Sequence, residues 1–299
     1  MKILLFGKNG QVGWELNRSL QPLGEVVALN REDADFSSPE SLRQIISDVK
    51  PDVIVNAVAY TAVDKAEAEE ELAATINSVA PGILAEEALK TKALLVHYST
   101  DYVFDGTKKS PYSESDEPNP INVYGQTKLA GEQLIQASGC DYLILRTSWV
   151  FSSRGSNFLL SILRLASERK QLTVIDDQIG VPTWAVNVAD ITKNIILLSE
   201  KQRLTGKFIS GIYNVVSSGA TTWFDFSNKI ISIASEFGLD SGFVVDQINP
   251  ISSSEYQMPA KRPFYSVLST EKIEKVCRIS TIAWEHALEC CMNVMKKTG

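Results

Sequence analysis

Ile3-Leu4-Leu5-Phe6-Gly7-Lys8-Asn9-Gly10-Gln11-Val12-Gly13 is the stretch that decides the fold. Four apolar residues in a row make a short strand of the type buried on both faces of a parallel sheet. Three glycines in seven residues then make a tight turn. Trp14, Leu16 and Leu20 carry the spacing of a helix that ends around Pro22-Leu23-Gly24. A glycine turn between strand and helix lets the backbone approach a pyrophosphate, whose charge is favoured by the free N–H groups and dipole of the helix N-terminus. Gly7, Gly10 and Gly13 are spaced G-x-x-G-x-x-G and not G-x-G-x-x-G, so alone they read either as a dinucleotide site or as a simple turn.

The same alternation runs outward from this stretch. Val26 to Leu29 reads as a second strand. Ser38-Pro39-Glu40-Ser41 reads as a helix start, with serine before a proline at the first helical position. Residues 52–57 and 93–99 are a third and a fourth strand, separated by a long helical region rich in Ala and Glu. Residues 122–137 read as a helix and 142–146 as a strand. Strands alternating with helices predict βαβ units and an α/β, doubly wound parallel sheet of Rossmann type. After about Val150, helical patterns at 157–169, 187–199, 224–237 and 281–296 mix with short strands and Gly/Ser/Pro loops. The expected organisation is a dinucleotide-binding core over residues 1–150, to which some later segments return, and mainly a smaller α/β substrate lobe over 151–299. The acidic run Glu67 to Glu71 reads as a solvated helix face.

A net charge of −7 over 299 residues gives no basic footprint, which excludes nucleic acid and anionic membrane as expected partners. Ile3 to Phe6 is too short for a signal-peptide core, and no apolar segment is long enough to cross a bilayer. Cys140, Cys277, Cys290 and Cys291 have no zinc-like spacing and read as reduced thiols, hence a cytoplasmic protein; Cys290–Cys291 reads as two positions of a helix. No residue pattern nominates a metal site.

The chemistry concentrates at three further places. The second strand ends Leu29-Asn30-Arg31, where a site for NADH usually shows Asp or Glu. Asn30 and Arg31 favour the extra phosphate of NADPH, with NADH as an alternative; the competing reading pairs Arg31 with Glu32 or Asp33. Tyr124 and Lys128 stand one helical turn apart, and an ammonium there can lower a phenol's pKa from about 10 and reach ribose hydroxyls. Any lone Y-x-x-x-K is also a common amphipathic face. Thr100, at the end of the fourth strand, can hydrogen-bond a reacting oxygen. His97 reads as a core residue in a strand and His286 as a helix residue with no ligand partner. Trp14, Trp223 and Trp284 read as packing, whereas Trp149 follows a strand end beside the site.

On these motifs the chain resembles the extended short-chain dehydrogenase/reductase superfamily and, within it, the dTDP-4-dehydrorhamnose reductases over nearly its full length. The resemblance rests on Gly7 to Gly13, on 56–64, on His97 to Phe104, on Pro120 to Glu132 and on Arg146 to Val150. It also rests on Asp177 to Thr183 and on Arg262-Pro263 with Ser266 and Leu268. It implies that Gly10, Gln11 and Val12 contact the pyrophosphate and that Asp35 and Phe36 flank the adenine. Ala59, Tyr60 and Thr61 would line the path to the nicotinamide, with Tyr98 close by. Thr100, Tyr124 and Lys128 would be the catalytic triad. Thr100, Asp101 and Trp149 would contact the sugar, and Arg262 the diphosphate.

The implied activity is NAD(P)H-dependent reduction of the C4 ketone of a dTDP-4-dehydro-6-deoxy-L-sugar, for cell-surface polysaccharide precursors. A talose-forming reductase, an epimerase and a non-catalytic regulatory subunit are the alternatives; a dehydratase would need Asp-Glu after Thr100, where Asp101-Tyr102 stand. The resemblance also implies Mg²⁺ held by acidic side chains at a dimer interface. Glu15 matches one such position and Val186 stands where a second acid is expected, so monomer and homodimer both remain open.

Overall fold

The computed structural model describes residues 1–208 and 210–298. The chain opens with β1 (Lys2–Phe6), α1 (Gln11–Ser19), β2 (Glu25–Leu29), α2 (Ser41–Val49) and β3 (Val53–Asn56). Two short helices follow, α3 (Val63–Ala66) and α4 (Glu70–Ala74), then a π-helical turn (Thr75–Val79) and α5 (Ala80–Thr91). Next come β4 (Leu94–Thr100), α6 (Val123–Ala137) and β5 (Tyr142–Thr147). The second half begins with β6 (Val150–Phe151), α7 (Phe158–Glu168), β7 (Gln171–Ile175), β8 (Ile179–Gly180) and β9 (Thr183–Trp184). It continues through α8 (Ala185–Leu204), β10 (Gly211–Asn214), β11 (Thr221–Thr222), α9 (Trp223–Phe237), β12 (Gln247–Ile251), α10 (Glu271–Cys277) and α11 (Trp284–Thr298).

Six strands form one parallel sheet in the order β10-β5-β4-β3-β1-β2. This is the doubly wound α/β sheet expected from the sequence. Every residue of β3 and β4 is buried, because helices cover both faces. On one face Leu16 of α1 and Leu20 just beyond it pack with Val188 and Ile195 of α8 and Ile273 of α10. On the other, Leu42 and Ile46 of α2 pack with Leu84 and Ala88 of α5 and Ile135 of α6. From β1 the chain crosses to β2 on one side and then to β3 on the other, which opens a crevice beyond the carboxyl ends of β1 and β3.

Residues of the second half enter both parts of the molecule. α8, β10 and α10 pack into the main core, while α7, α9 and α11 share a separate core around Phe226, Ile230 and Leu288. Two local departures from the sequence reading are physical. Ser38 to Ser41 is a turn, with the Ser41 N–H on the Ser38 carbonyl at 3.3 Å, and α2 starts only at Ser41. The Ala/Glu-rich region between β3 and β4 is broken, because Glu67 and Glu69 leave the helix to bind elsewhere. Glu67 accepts the Val123 N–H at the start of α6 at 2.9 Å, and Glu69 accepts the Tyr60 hydroxyl at 2.6 Å. Among the described residues no helix is long and apolar enough to cross a membrane.

Candidate active site

The turn after β1 holds Gly7 at φ +90°, where a side chain would be strained, and its N–H donates to the Leu29 carbonyl at 2.9 Å. This ties the turn to the end of β2. A Cβ on Gly13 would lie 1.9 Å from the Gly7 carbonyl oxygen, so glycine is what allows α1 to close over the turn. Gly10 caps α1 without a side-chain bond, leaving the first N–H groups of the helix for a ligand.

Two adjoining clefts meet at this turn. One, of about 540 Å³, is lined by Gly7, Gly10, Asn30, Arg31, Asp35 and Phe36 together with Ala59, Tyr60 and Thr61. Asp33 pairs with Lys8 at 3.1 Å, and among the described residues Arg31 is in no ion pair. Asp35 accepts both the N–H and the hydroxyl of Ser37, which hold its carboxyl below the usual range. Phe36 is buried edge-on against Phe6, 5.4 Å between ring centres. Tyr60 is fixed at its N–H by Asn77, which belongs to the π-helical turn and also donates to Thr127 on α6.

The second cleft, of about 570 Å³, brings Gly10, Gln11 and Val12 together with Ala59, Thr61 and Tyr98. Thr100, Asp101, Tyr124, Lys128 and Trp149 line the same space. β4 delivers Thr100 at its carboxyl end, and α6 presents Tyr124 and Lys128 one turn apart; Asn122 caps α6 by accepting the Gly125 N–H at 2.8 Å. The Thr100 hydroxyl accepts the Tyr102 N–H at 3.1 Å and donates to Asp101 at 3.0 Å, and the Tyr124 phenol lines the same space. Burial pushes the Tyr124 phenol up to about 12, with Thr100 opposing and Asp101 adding to the rise. Burial likewise pushes Asp101 up to about 7, against hydrogen bonds from Ser266 and Thr100.

Lys128, almost wholly buried, points its Nζ at the Tyr98 carbonyl, 2.5 Å, and at His97 Nε2, 3.2 Å. Burial lowers it to about 8, with Glu132 opposing. One turn further along α6, Glu132 makes a bidentate pair with Arg146 of β5 at 2.9 and 2.6 Å, both side chains buried. The Arg146 guanidinium also lies 5.1 Å from the centre of the Phe104 ring.

Arg262 lies apart from the two clefts. It is bonded to Asp64 at 3.1 and 2.7 Å and lines a third cavity of about 700 Å³. Gly13 lines neither cleft and acts beneath the turn. Glu15 is paired with Arg18 at 3.3 Å, and among the described residues no three acidic, His or Cys side chains gather as a metal site. The residues of a single chain therefore do not fit Mg²⁺. The glycine turn and the contiguous clefts do fit a dinucleotide.

Gly155 and Ser156 line the second cleft and had no signal in the sequence. Asn157 caps α7 through Leu160 and donates to Gln11 Oε1 at 2.8 Å, bridging the first glycine turn to the second half of the chain. The loop after β6 reaches the cleft with Gly155 and Ser156, and Arg154 stacks on the Trp14 indole at 3.4 Å. Trp149 takes a left-handed φ of 43° and stacks on Trp223, 3.4 Å between ring centres.

A family model described as RmlD substrate binding domain matches residues 1–297. The chain is 47% identical over 293 residues to a dTDP-4-dehydrorhamnose reductase of Burkholderia thailandensis, covering 98% of each chain. It is similar to the crystal structure of a dTDP-4-dehydrorhamnose reductase ortholog of Clostridium acetobutylicum, with TM-score 0.89 and 34% identity over 99% of this chain and 100% of that one. It is also similar to dTDP-4-dehydrorhamnose reductase of Bacillus anthracis, solved in complex with NADP, with TM-score 0.86 and 32% identity over 98% and 99% of the two chains.

Proposed function

This chain belongs to the dTDP-4-dehydrorhamnose reductase family, and on that premise we propose that it reduces the C4 ketone of dTDP-4-dehydro-6-deoxy-L-mannose to dTDP-L-rhamnose. The product is a precursor of cell-surface polysaccharide. NADPH is the favoured cofactor. Among the described residues Arg31 is in no ion pair at the cleft, which leaves it for a 2′-phosphate, and the Bacillus anthracis relative was solved with NADP. A cytoplasmic location fits four free thiols. Residues 1–150 would supply most of the cofactor site, and 151–299 most of the lobe that covers the sugar.

The observation that carries this reading is that Thr100 and Tyr124 line the head of one cleft that continues into the glycine turn. When bound, the reduced nicotinamide supplies the hydride. Tyr124, with its pKa raised to about 12, keeps its proton at neutral pH and can give it to the oxygen formed at C4. Thr100 orients that oxygen, and the N–H groups at the start of α1 hold the cofactor's diphosphate. Lys128 donates to ribose hydroxyls, Asp101 and Trp149 bound the sugar, and Trp149 keeps water from that side.

The test is turnover of NADPH and NADH with dTDP-4-dehydro-L-rhamnose, followed by NMR of the product. One equivalent of NADPH oxidised per rhamnose formed is the expected result. Turnover without net cofactor oxidation would instead mark an epimerase. Tyr124→Phe should lower kcat by at least about 100-fold while NADPH still binds; near-normal kcat would remove Tyr124 from the role of acid.

A further inference from the structure

We propose that Arg154 is a cofactor-binding residue, a guanidinium brought to the dinucleotide's diphosphate from the second half of the chain, and that Trp14 and Asn157 position it there. The proposal rests on the reading of the glycine-turn cleft as the cofactor site. Gly155 and Ser156, the two residues after Arg154, line that cleft beside Gly10, Gln11 and Val12. Consecutive Cα atoms are about 3.8 Å apart, so Arg154 stands at the rim with its backbone one residue from the wall. A Cβ on Gly155 would lie 3.3 Å from Gln11 Cγ, which shows how closely this loop covers the first turn of α1.

The glycine turn itself meets an anion with backbone alone. Gly10 leaves the first N–H groups of α1 free, and no acid stands in that first turn. The charged side chains that line the cleft are Asp101, beside Thr100, and Lys128, one turn from Tyr124, on the β4 and α6 side of it. Lys8 on the turn is paired with Asp33 at 3.1 Å, and Arg18 of α1 with Glu15 at 3.3 Å. Among the described residues the Arg154 guanidinium makes no ion pair and no hydrogen bond, only its stack on Trp14. A cation beside the positive end of a helix is repelled by it unless an anion stands between them. A diphosphate on the N–H groups of α1 would complete that arrangement.

The stack on Trp14 holds the guanidinium without consuming its donors. Arg154 Cζ lies 3.4 Å from the centre of the indole, so the ring covers one face of the group. The N–H donors lie in the guanidinium plane and point outward from its edge, where they stay free for phosphate oxygens. Trp14 is 47% exposed and lies outside the hydrophobic cores, so core packing does not account for it. It follows Gln11 by three residues, which places the two side by side on α1. Asn157 fixes the backbone. Its Nδ2 donates to Gln11 Oε1 at 2.8 Å and lies 2.9 and 3.1 Å from the carbonyls of Ser152 and Arg154. One amide thus ties the Arg154 peptide to the first residue of α1.

Two diphosphates would meet in this protein, the cofactor's and the sugar nucleotide's. Both anchors of the Arg154 loop, Gln11 and Trp14, belong to α1, the helix that opens on the glycine turn. That assigns the guanidinium to the cofactor.

Calorimetric titration of Arg154→Ala, Trp14→Leu and the double variant with NADPH, NADH and dTDP tests the assignment. Arg154→Ala should weaken NADPH and NADH by the same factor, about tenfold or more, and leave dTDP unchanged. Equal loss is diagnostic, because NADH has the diphosphate and lacks the 2′-phosphate. Arg154→Lys should recover only part of the loss, since an ammonium keeps the charge and not the planar fork. Trp14→Leu should weaken both cofactors about threefold, and no further in the Arg154→Ala background, because it acts through the guanidinium.

An Arg154→Ala protein that holds both cofactors as tightly as the native one overturns the proposal. A loss confined to NADPH does so too, by moving the guanidinium to the 2′-phosphate, as does a loss confined to dTDP, by moving it to the substrate. Additive effects of the two substitutions overturn the role of Trp14. Cofactor binding that depends on Arg154 in a protein that leaves the keto sugar unreduced would overturn the reductase reading and leave the contact standing. A native protein that binds neither cofactor would overturn both.

Discussion

Asp101 is buried, and among the described residues its Oδ2 has no hydrogen-bond partner. Its pKa rises to about 7 by burial, against about 3.9 in an unfolded chain. A carboxyl raised in this way costs no stability below the unfolded value and progressively more as pH climbs to the folded one. Native protein should therefore lose roughly 2–4 kcal/mol between about pH 4 and pH 7.5 at this one position. Asp101→Asn should flatten that part of the curve in denaturant melts run across the range, and an unchanged slope would refute the assignment. At this scale the sequence was informative about identity and silent about partners. Thr100, Tyr124 and Lys128 were legible because strand-end position and a four-residue spacing are local facts. The contacts of Lys128 with His97 and Tyr98 were not, because they join residues about thirty positions apart through the packing of α6 on β4.

α6 is the element on which the site is mounted. Its inner face carries Lys128 and, one turn on, the Glu132 that pairs with Arg146 of β5. A buried ion pair need not stabilise a fold, yet removing one partner strands the other in a low-dielectric site. Glu132→Gln should cost about 3–5 kcal/mol in urea melts, and the double change Glu132→Leu with Arg146→Met should recover most of it. A single variant as stable as the native protein would mean that the Arg146 charge finds another partner. The helix itself was plain in the sequence, with Asn122 as its start. The break in the Ala/Glu-rich region before it was not. Propensity reads that region as continuous, whereas the tertiary demands of Tyr60 and Val123 for acceptors draw Glu69 and Glu67 out of register.

Across the whole molecule, the strand order sets where ligands gather. The reversal between β1 and β3 puts the glycine turn, the β3 exit and Thr100 along one edge, and this topology followed from the βαβ rhythm of the first half. The weave of the second half did not, since β10 joins the large sheet through only four residues and α8 carries no strong local boundary signal. Because the clefts draw on loops from β1 to β6, cofactor should stabilise the fold as a unit. NADPH at about 100 times its Kd should add about 2.7 kcal/mol, read as a raised Tm. Arg31→Ala should erase the difference between NADPH and NADH in that shift, and an undiminished preference would assign the 2′-phosphate to other residues.

Trp149, on the wall of the cleft, lies face to face with Trp223 at the first turn of α9, their planes 7° apart. Two indoles so close share their excited state, which shifts their absorption and quenches their emission. The protein thus carries a built-in optical gauge: a ligand that slides Trp149, or a hinge that lifts α9, changes the colour and brightness of the pair with no dye attached.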